Sequence, residues 1–233
     1  MESMTTGAVG FDRYLRSLIG SWRSLTRPHA GATVQQGNGW AAAFDPSDPV
    51  FSNGLLLQPY GLEPLIEFFG PARPYALWTR DEPAAGPLRK AGWRLDETTV
   101  AMVADLADLA TPAVSGGTDL VRVPGSVAAT ANGLRAGLLD GAPGLRAYAS
   151  GDFGCVLALI EVDDDVNVSL VHTRPDLRRQ GRAAALLAAA LVQARGDGFR
   201  TASLQATPMG CGVYRRLGFR DVAVWQEWQP PLV

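Results

Sequence analysis

Apolar residues recur in steps of three and four between residues 11 and 25, at Phe11, Tyr14, Leu15, Leu18, Ile19 and Trp22. This spacing places them on one face of a helix. Similar patterns, ended by glycine or proline, predict five further helices. These are Leu62–Phe69, Ala84–Ala91, Val127–Leu139, the alanine- and leucine-rich Gly181–Arg195, and Cys211–Leu217.

Short apolar or alternating runs between turn-forming residues predict strands. The first four are Gly39–Phe44, Phe51–Leu57, Tyr75–Thr79 and Thr98–Val103, and Pro28–Gly39 is expected to be a loop. The remaining six are Asp119–Val123, Leu145–Ser150, Gly154–Val162, Val166–Val171, Thr201–Ala206 and Phe219–Gln229. The tight links 150–152 and 163–165 predict antiparallel hairpins, the second a solvated turn of three aspartates.

Two features predict a chain of two related halves. Thr111–Thr118 is rich in proline, glycine, serine and threonine, which predicts a boundary between residues 1–112 and 119–233. Leu88–Arg94 also resembles Tyr214–Arg220, and both segments follow a strand and precede another. A helix that ends in glycine and an aromatic residue is common, but the matching neighbours favour a duplication.

Composition excludes several classes of protein. The 233 residues are 47% hydrophobic and 19% charged with a net charge of −2, which argues against a disordered acidic tail and a basic nucleic-acid binder. Two cysteines are too few for a disulfide framework, and no metal-ligand cluster is evident. With no long apolar run and no signal peptide, we expect a cytoplasmic protein that does not bind membranes.

The segment between the strand Val166–Val171 and the helix Gly181–Arg195 carries the clearest chemistry. Unpaired N–H groups and the helix dipole make the start of a helix an anion site. Gly181 and Ala183 leave the backbone accessible, and three arginines lie close by in the sequence. The alternative is an ordinary helix start with solvated arginines.

This segment resembles motif A of the GNAT superfamily, the acyl-CoA-dependent N-acyltransferases. The family pattern is Arg or Gln, two residues, Gly, one residue, then Gly or Ala, which Arg178, Gly181 and Ala183 match. Tyr214 and its neighbours up to Phe219 resemble motif B, and the resemblance covers residues 119–233. It implies an α/β (α+β) fold: a mixed, mostly antiparallel sheet with a splayed parallel strand pair, flanked by helices.

The resemblance implies acetyl-CoA as cosubstrate. The strands Val166–Val171 and Thr201–Ala206 would then separate to admit the pantetheine arm, with backbone groups near Val171 and Thr173 pairing with its amides. The implied pyrophosphate cradle is the turn of Arg178, Arg179, Gln180, Gly181, Arg182 and Ala183.

The same resemblance suggests catalytic residues. Tyr214 stands where the family commonly has a tyrosine that protonates the departing thiolate; alternatively it only packs its ring. Some members have a glutamate base where this chain has Asn167, which cannot act as one. The candidates for the base are therefore His172, Asp165 and Glu161, or a chain of water molecules.

Residues 1–112 are interpreted as a degenerate copy of the same fold. Leu88 falls where Tyr214 stands in the second half, and the segment from Phe51 to Phe69 contains no Arg-x-x-Gly turn. We therefore expect this half to be structural, or to form a wall of the substrate cleft.

The predicted activity is acetyl transfer from acetyl-CoA to a primary amine of a small molecule or protein. A homodimer is compatible with this prediction. The alternative is a non-catalytic acyl-CoA-binding or scaffold protein. A nucleotide-binding module is less favoured, because the P-loop and dinucleotide-binding patterns are absent.

Overall fold

The structure, a computed structural model, describes residues 2–70, 72, 74, 76–80, 82–110 and 119–231, with side chains from residue 10 onward. The helices in this part are α1 Glu2–Thr26, α2 Leu62–Phe69, α3 Glu82–Lys90, α4 Gly125–Ala131, α5 Arg182–Gly196 and α6 Cys211–Arg216. None of these helices is long and apolar enough to span a membrane.

The strands are β1 Thr33–Gly37, β2 Trp40–Phe44, β3 Asn53–Leu56, β4 Ala76–Thr79, β5 Arg94–Asp105, β6 Leu120–Val123, β7 Leu145–Ser150, β8 Cys155–Val162, β9 Asp165–Thr173, β10 Thr201–Ala206 and β11 Arg220–Gln229. All ten predicted strands are confirmed, β7 and β10 with the predicted ends and the other eight with shifted ends. Tyr75 and the predicted boundary segment 111–118 lie outside the described residues.

Three predictions of local structure are wrong. The turn 163–165 was expected to be solvated, but Asp165 begins β9 and is buried. The expected loop Pro28–Gly39 contains β1, an edge strand whose mostly exposed, polar sequence lacks the apolar alternation of a buried strand. The expected helix Val127–Leu139 ends at Ala131, and a separate 3₁₀ turn follows at Ala136–Leu139. Gly133 has a φ of 73°, a left-handed conformation that commonly ends a helix.

The eleven strands described form one sheet in the order β1-β2-β3-β4-β11-β5-β10-β9-β8-β7-β6. The pairs β3–β4 and β9–β10 are parallel, and the other neighbours are antiparallel. This is the mixed, mostly antiparallel sheet that the resemblance to the GNAT superfamily implies. Strand β5, from the predicted first domain, lies between β10 and β11 of the second, so the two predicted domains share one sheet.

The strand order has an internal symmetry. From one edge it runs β1-β2-β3-β4-β11, and from β7 inward it runs β7-β8-β9-β10-β5. In each series the third and fourth strands form the parallel pair, and a helix lies between these two strands along the chain. Each also ends in the last strand of the other half.

Helices cover both faces of the sheet. Helices α1 and α4 pack on one face, called the α1 face, where Tyr14 and Trp225 are fully buried. Helices α2, α3, α5 and α6 pack on the other, the α5 face. Leu186 and Leu187 of α5 are fully buried there, and burial of each leucine side chain contributes about 1.5–3 kcal/mol.

Helix α1 crosses the sheet and joins its two halves. Its Tyr14 hydroxyl donates to Gln205 Oε1 over 2.8 Å, and its Ser17 hydroxyl donates to Asp165 Oδ2 over 2.6 Å. Gly20 lies so close to Val162 that a Cβ would come within 2.3 Å of a methyl carbon. The helix therefore rests directly on β8, β9 and β10.

Candidate active site

The parallel pair β9–β10 is closed at one end and open at the other. Its register begins at Asp165–Thr201 and ends at Val168–Leu204, although the strands continue to Thr173 and Ala206. Beyond Val168 the two strands therefore leave a gap between them.

A bulge in β9 accompanies this separation. Leu170 has a φ of 54°, which is uncommon for a non-glycine residue, and the β8–β9 register shifts between Val156 and Ala158. The Asn132 amide at the end of α4 donates to the Leu170 carbonyl over 3.0 Å. The bulge is thus held in place by the α1 face.

The turn before α5 is open and rich in backbone donors. Arg179 and Gly181 both have left-handed φ angles, of 63° and 76°, and Gly181 directly precedes the helix. A Cβ on Gly181 would meet no atom within 4 Å. The free N–H groups of the first helical turn therefore face accessible space that suits an anion.

The three arginines of this turn have different environments. Arg182 pairs with Asp152, so its charge is partly neutralised. Arg178 Nε donates to the Thr173 carbonyl over 3.1 Å, and Arg179 is exposed. The cationic charge available to a ligand therefore comes mainly from Arg178 and Arg179. The Gln180 amide donates to the Asp176 carbonyl over 3.4 Å and stiffens the turn.

Tyr214 lies on α6 at the α5 face. Its ring packs edge-on against Phe219, with centroids 6.0 Å apart, and a Cβ on Gly210 would come within 3.0 Å of it. Burial, with added effects of Cys155 and Cys211, raises the pKa of Tyr214 to about 12. With this pKa the Tyr214 hydroxyl is protonated at neutral pH and can donate a hydrogen bond.

The end of β9 presents residues to both faces. Val171 packs against the core of the α5 face, and Thr173 Oγ1 lies 3.2 Å from Cys155 Sγ on the same face. His172 pairs in register with Val156, which is buried on the α1 face. The structure thus brings Val171, His172 and Thr173 together at the gap, with His172 on the face opposite Tyr214.

Asp165 is not brought to the gap. It begins β9 at the closed end, eight residues before Thr173, which is roughly 25 Å along a strand. It accepts hydrogen bonds from Ser17, Thr201 and Ser203, and burial raises its pKa to about 6. The sequence could not reveal that Asp165 lies at the closed end. Asp165 is only two residues from Asn167 in the chain, but this proximity does not show at which end of β9 the gap opens.

The two other positions considered for a base are occupied in other ways. Glu161 pairs with Arg146 near the closed end of the sheet. Asn167 is buried, and its amide donates to the Ser17 hydroxyl over 3.2 Å. Glu161 therefore stabilises the pairing of β8 with β7, and Asn167 stabilises the packing of α1 on β9.

Sequence reasoning missed Cys155 and Glu227. Cys155 is fully buried beside Thr173, and burial raises the pKa of its thiol. Burial, with Asp96 and Glu97 nearby, raises the pKa of Glu227 on β11 to about 7. Neither residue belongs to a sequence motif, and only the strand order brings each into its environment.

The corresponding turn of the first half is filled. The N–H groups of Leu57 and Gln58, which follow β3, both donate to the Gly39 carbonyl over 2.9 and 3.0 Å. A Cβ on Gly61, just before α2, would come within 2.4 Å of that same oxygen. The β1–β2 hairpin therefore occupies the space that is open before α5.

Cysteine, histidine and carboxylate side chains do not assemble into a metal site in the described part of the chain, since no group of three or more could hold an ion. Cys211 is buried, and its thiol donates to the Thr207 carbonyl, as fits a packing residue.

Comparison with known proteins was made at the levels of sequence and fold. Residues 145–228 match the family model of the acetyltransferase (GNAT) domain, and no curated protein sequence matches the chain. A GCN5-related N-acetyltransferase from Kribbella flavida has a similar structure, with a TM-score of 0.69, 18% identity and coverage of 94% of this chain and 96% of that chain.

Two further solved structures share the fold. One is a GCN5-related N-acetyltransferase from Sphaerobacter thermophilus, with a TM-score of 0.56, 15% identity and coverage of 88% and 85% of the two chains. Another is a tandem GNAT protein from the clavulanic acid biosynthesis pathway, with a TM-score of 0.50, 13% identity and coverage of 86% and 83%. Residues 145–228 are therefore similar to the GNAT acetyltransferase domain, and the chain shares its overall fold with these solved structures.

Proposed function

We propose that the protein is an N-acetyltransferase that transfers the acetyl group of acetyl-CoA to a primary amine of a small molecule or protein. One observation carries the proposal: the β9–β10 pair opens beyond Val168 and Leu204, next to the accessible turn before α5. The gap suits a narrow extended arm, and the turn suits the phosphates that follow it.

The chain's own groups fit such a cosubstrate. Backbone groups of Val171 and Thr173 on the open part of β9 would bind the pantetheine amides. The N–H groups of Gly181, Arg182 and Ala183 would hold the pyrophosphate, with the Gln180 turn and the side chains of Arg178 and Arg179 beside it. When bound, acetyl-CoA supplies an activated thioester.

The two faces of the sheet suggest a division of chemical roles. The acceptor amine would approach from the α1 face, where His172 lies, and form the new C–N bond at the thioester carbon. The C–S bond would break toward the α5 face, where Tyr214 lies. His172 would take the proton from the amine, and Tyr214 would donate a hydrogen bond to the departing thiolate.

The environment of Tyr214 defines how it would act. A phenol with a pKa of about 12 is a weaker acid than an ordinary thiol, whose pKa is about 8.5. Tyr214 would therefore stabilise the thiolate as a hydrogen-bond donor that keeps its own proton. We assign no proton transfer to Asp165 because it lies at the closed end of β9.

We further propose that residues 1–112 and 119–233 arose by duplication and that the first copy is degenerate. The symmetric strand order supports this, as does the likeness to a tandem GNAT protein. Since the Gly39 carbonyl occupies the first turn, that copy would contribute β5 and α1 to the second and bind no CoA.

Calorimetric titration with acetyl-CoA tests the proposal. We expect saturable binding by the wild type and its loss in the double variant Arg178→Ala/Gly181→Glu. Absence of binding by a folded wild-type protein would overturn the acetyltransferase assignment.

Turnover separates an enzyme from a binding protein. Thiol release from acetyl-CoA is measured against a panel of primary amines, with Tyr214→Phe as the control. If the protein binds acetyl-CoA but releases no thiol with every amine tested, the non-catalytic alternative is supported.

A further inference from the structure

Phe153 is an exposed aromatic residue in a strained position. It lies in the β7–β8 hairpin with 53% of its surface exposed and a φ of 55°. An aromatic residue rarely adopts this left-handed conformation, and such outliers are concentrated at ligand and active sites. Neither burial nor backbone preference explains a phenylalanine here.

The hairpin around Phe153 is rigid. The Phe153 N–H donates to the Ser150 carbonyl over 2.7 Å, and the Ser150 hydroxyl donates to Asp152 over 2.7 Å. The Gly154 N–H also donates to Asp152, over 3.0 Å. The bonds to Asp152 from Ser150 and then from Arg182 lower the pKa of this carboxyl, which therefore stays ionised. The strained conformation is thus maintained by several bonds.

This hairpin directly adjoins the turn before α5. The Arg174 N–H donates to the Gly154 carbonyl over 2.9 Å, and Asp152 pairs with Arg182 in the first turn of α5. A Cβ on Gly154 would come within 2.4 Å of Leu177. Phe153 is therefore fixed next to the proposed pyrophosphate site.

The position of Phe153 matches one part of the proposed cosubstrate. Strand β9 lies between β10 and β8. The gap for the pantetheine arm is on its β10 side, and Phe153 lies just before the start of β8 on its other side. A ligand that enters the gap at one end and crosses the α5 turn presents its nucleotide end beyond the pyrophosphate. Purine rings stack on exposed aromatic side chains irrespective of hydrogen-bond pattern.

We propose that Phe153 is a binding residue that stacks on the adenine of CoA. This inference rests on the proposed function, because it assigns a role within the same cosubstrate site. The β7–β8 hairpin would then recognise the nucleotide end of CoA, independently of the thioester and of the acceptor.

The test compares CoA with 4′-phosphopantetheine, which lacks the 3′-phosphoadenylate half, by calorimetry on the full chain. We expect Phe153→Ala to weaken CoA binding about 5- to 100-fold, the range for loss of one aromatic–base stack, and to leave 4′-phosphopantetheine binding unchanged. Phe153→Trp should retain CoA affinity because it keeps a stacking surface.

Two controls separate binding from folding. Phe153→Gly relieves the left-handed strain, so it should melt no lower than the wild type and still lose CoA affinity. Tyr60→Ala removes another exposed aromatic, 60% exposed in the first half's turn, and should leave CoA binding unchanged.

The outcomes distinguish the two proposals. If Phe153→Ala binds CoA as tightly as the wild type does, the stacking role alone is overturned. The same holds if the variant loses affinity for CoA and for 4′-phosphopantetheine by the same factor. A folded wild type that binds neither ligand would overturn the proposed function and the stacking role with it.

Discussion

The two parallel strand pairs of the sheet have the same topology and different ends. In the second half, β9 and β10 separate beside an open turn whose Gly181 faces free space. In the first half, the turn after β3 donates two N–H groups to the Gly39 carbonyl. The comparison teaches that strand order alone does not make a ligand site, because a neighbouring hairpin can satisfy the same backbone donors.

The largest expected effect concerns which turn binds acetyl-CoA. We expect one molecule per chain, and Gly181→Glu should weaken binding more than about 100-fold, because a carboxylate would fill the turn and repel phosphate. The matched variant Gln58→Glu adds the same charge at the exposed turn of the first half and should leave binding intact. Calorimetry measures both, and a stoichiometry of two would contradict the comparison.

Leu88 and Tyr214 occupy matching places in the sequence repeat, and we expect their loss to have different consequences. Leu88 is fully buried in the same core cluster as Trp228, so Leu88→Ala should lower the free energy of unfolding by about 3 kcal/mol. Ile66→Ala, at a 41% exposed position of α2, is the control and should change it little. Urea denaturation gives both values. A loss of acetyl-CoA affinity in folded Leu88→Ala would argue for a functional first half.

For Tyr214→Phe we expect kcat to fall about 100-fold, because the donor to the departing thiolate is removed, while acetyl-CoA affinity stays unchanged. A steady-state assay of thiol release measures kcat, and calorimetry measures the affinity for acetyl-CoA. Tyr60→Phe, at an exposed tyrosine of the first half, should alter neither. Equal turnover by Tyr214→Phe and wild type would mean that the ring only packs.

The smallest expected effect concerns the closed ends of the two pairs. Asp165 begins the register of β9 with β10, and the corresponding residue of β3 is the neutral Asn53. The folded pKa of Asp165, about 6, is above its ordinary value of 3.8, so folding favours the protonated form. Its contribution to stability is therefore largest below pH 3.8, falls as the pH rises to about 6, and is constant above that.

Asp165→Asn imitates the first half and should remove this dependence. The stability difference between variant and wild type should increase in favour of the variant by about 2–3 kcal/mol between pH 4 and pH 7.5, as the pKa shift implies. Thermal unfolding at a series of pH values measures it. A difference that does not vary with pH would contradict the assigned protonation.

Much of the fold could be predicted because local patterns were strong. The steps of three and four in α1 and the short apolar or alternating runs of β7 to β10 are strong local signals. Edge strand β1 and the break after Ala131 were missed because a polar edge strand lacks alternation and a left-handed glycine can interrupt an otherwise apolar helix. Within the site, the turn from Arg178 to Ala183 was predictable as a compact motif.

Other features of the site could not be predicted from local patterns. Asp165 and His172 belong to one strand, and only the register with β10 shows that one lies at the closed end and the other at the gap. The side chain of Arg182 was expected to add positive charge beside the phosphate, and the structure shows that a hairpin 30 residues away places Asp152 beside that side chain. Such pairings depend on elements that are distant in sequence.

The sequence by itself determined most of the helices, nearly all strands and the compact turn before α5, because these depend on side-chain periodicity and on backbone conformation within a few residues. The tertiary structure alone decided that β5 is inserted between β10 and β11, that Gly39 fills the first turn, and that His172 and Tyr214 lie on opposite faces. These features depend on strand pairing and packing between segments far apart in the chain, for which local periodicity carries no information.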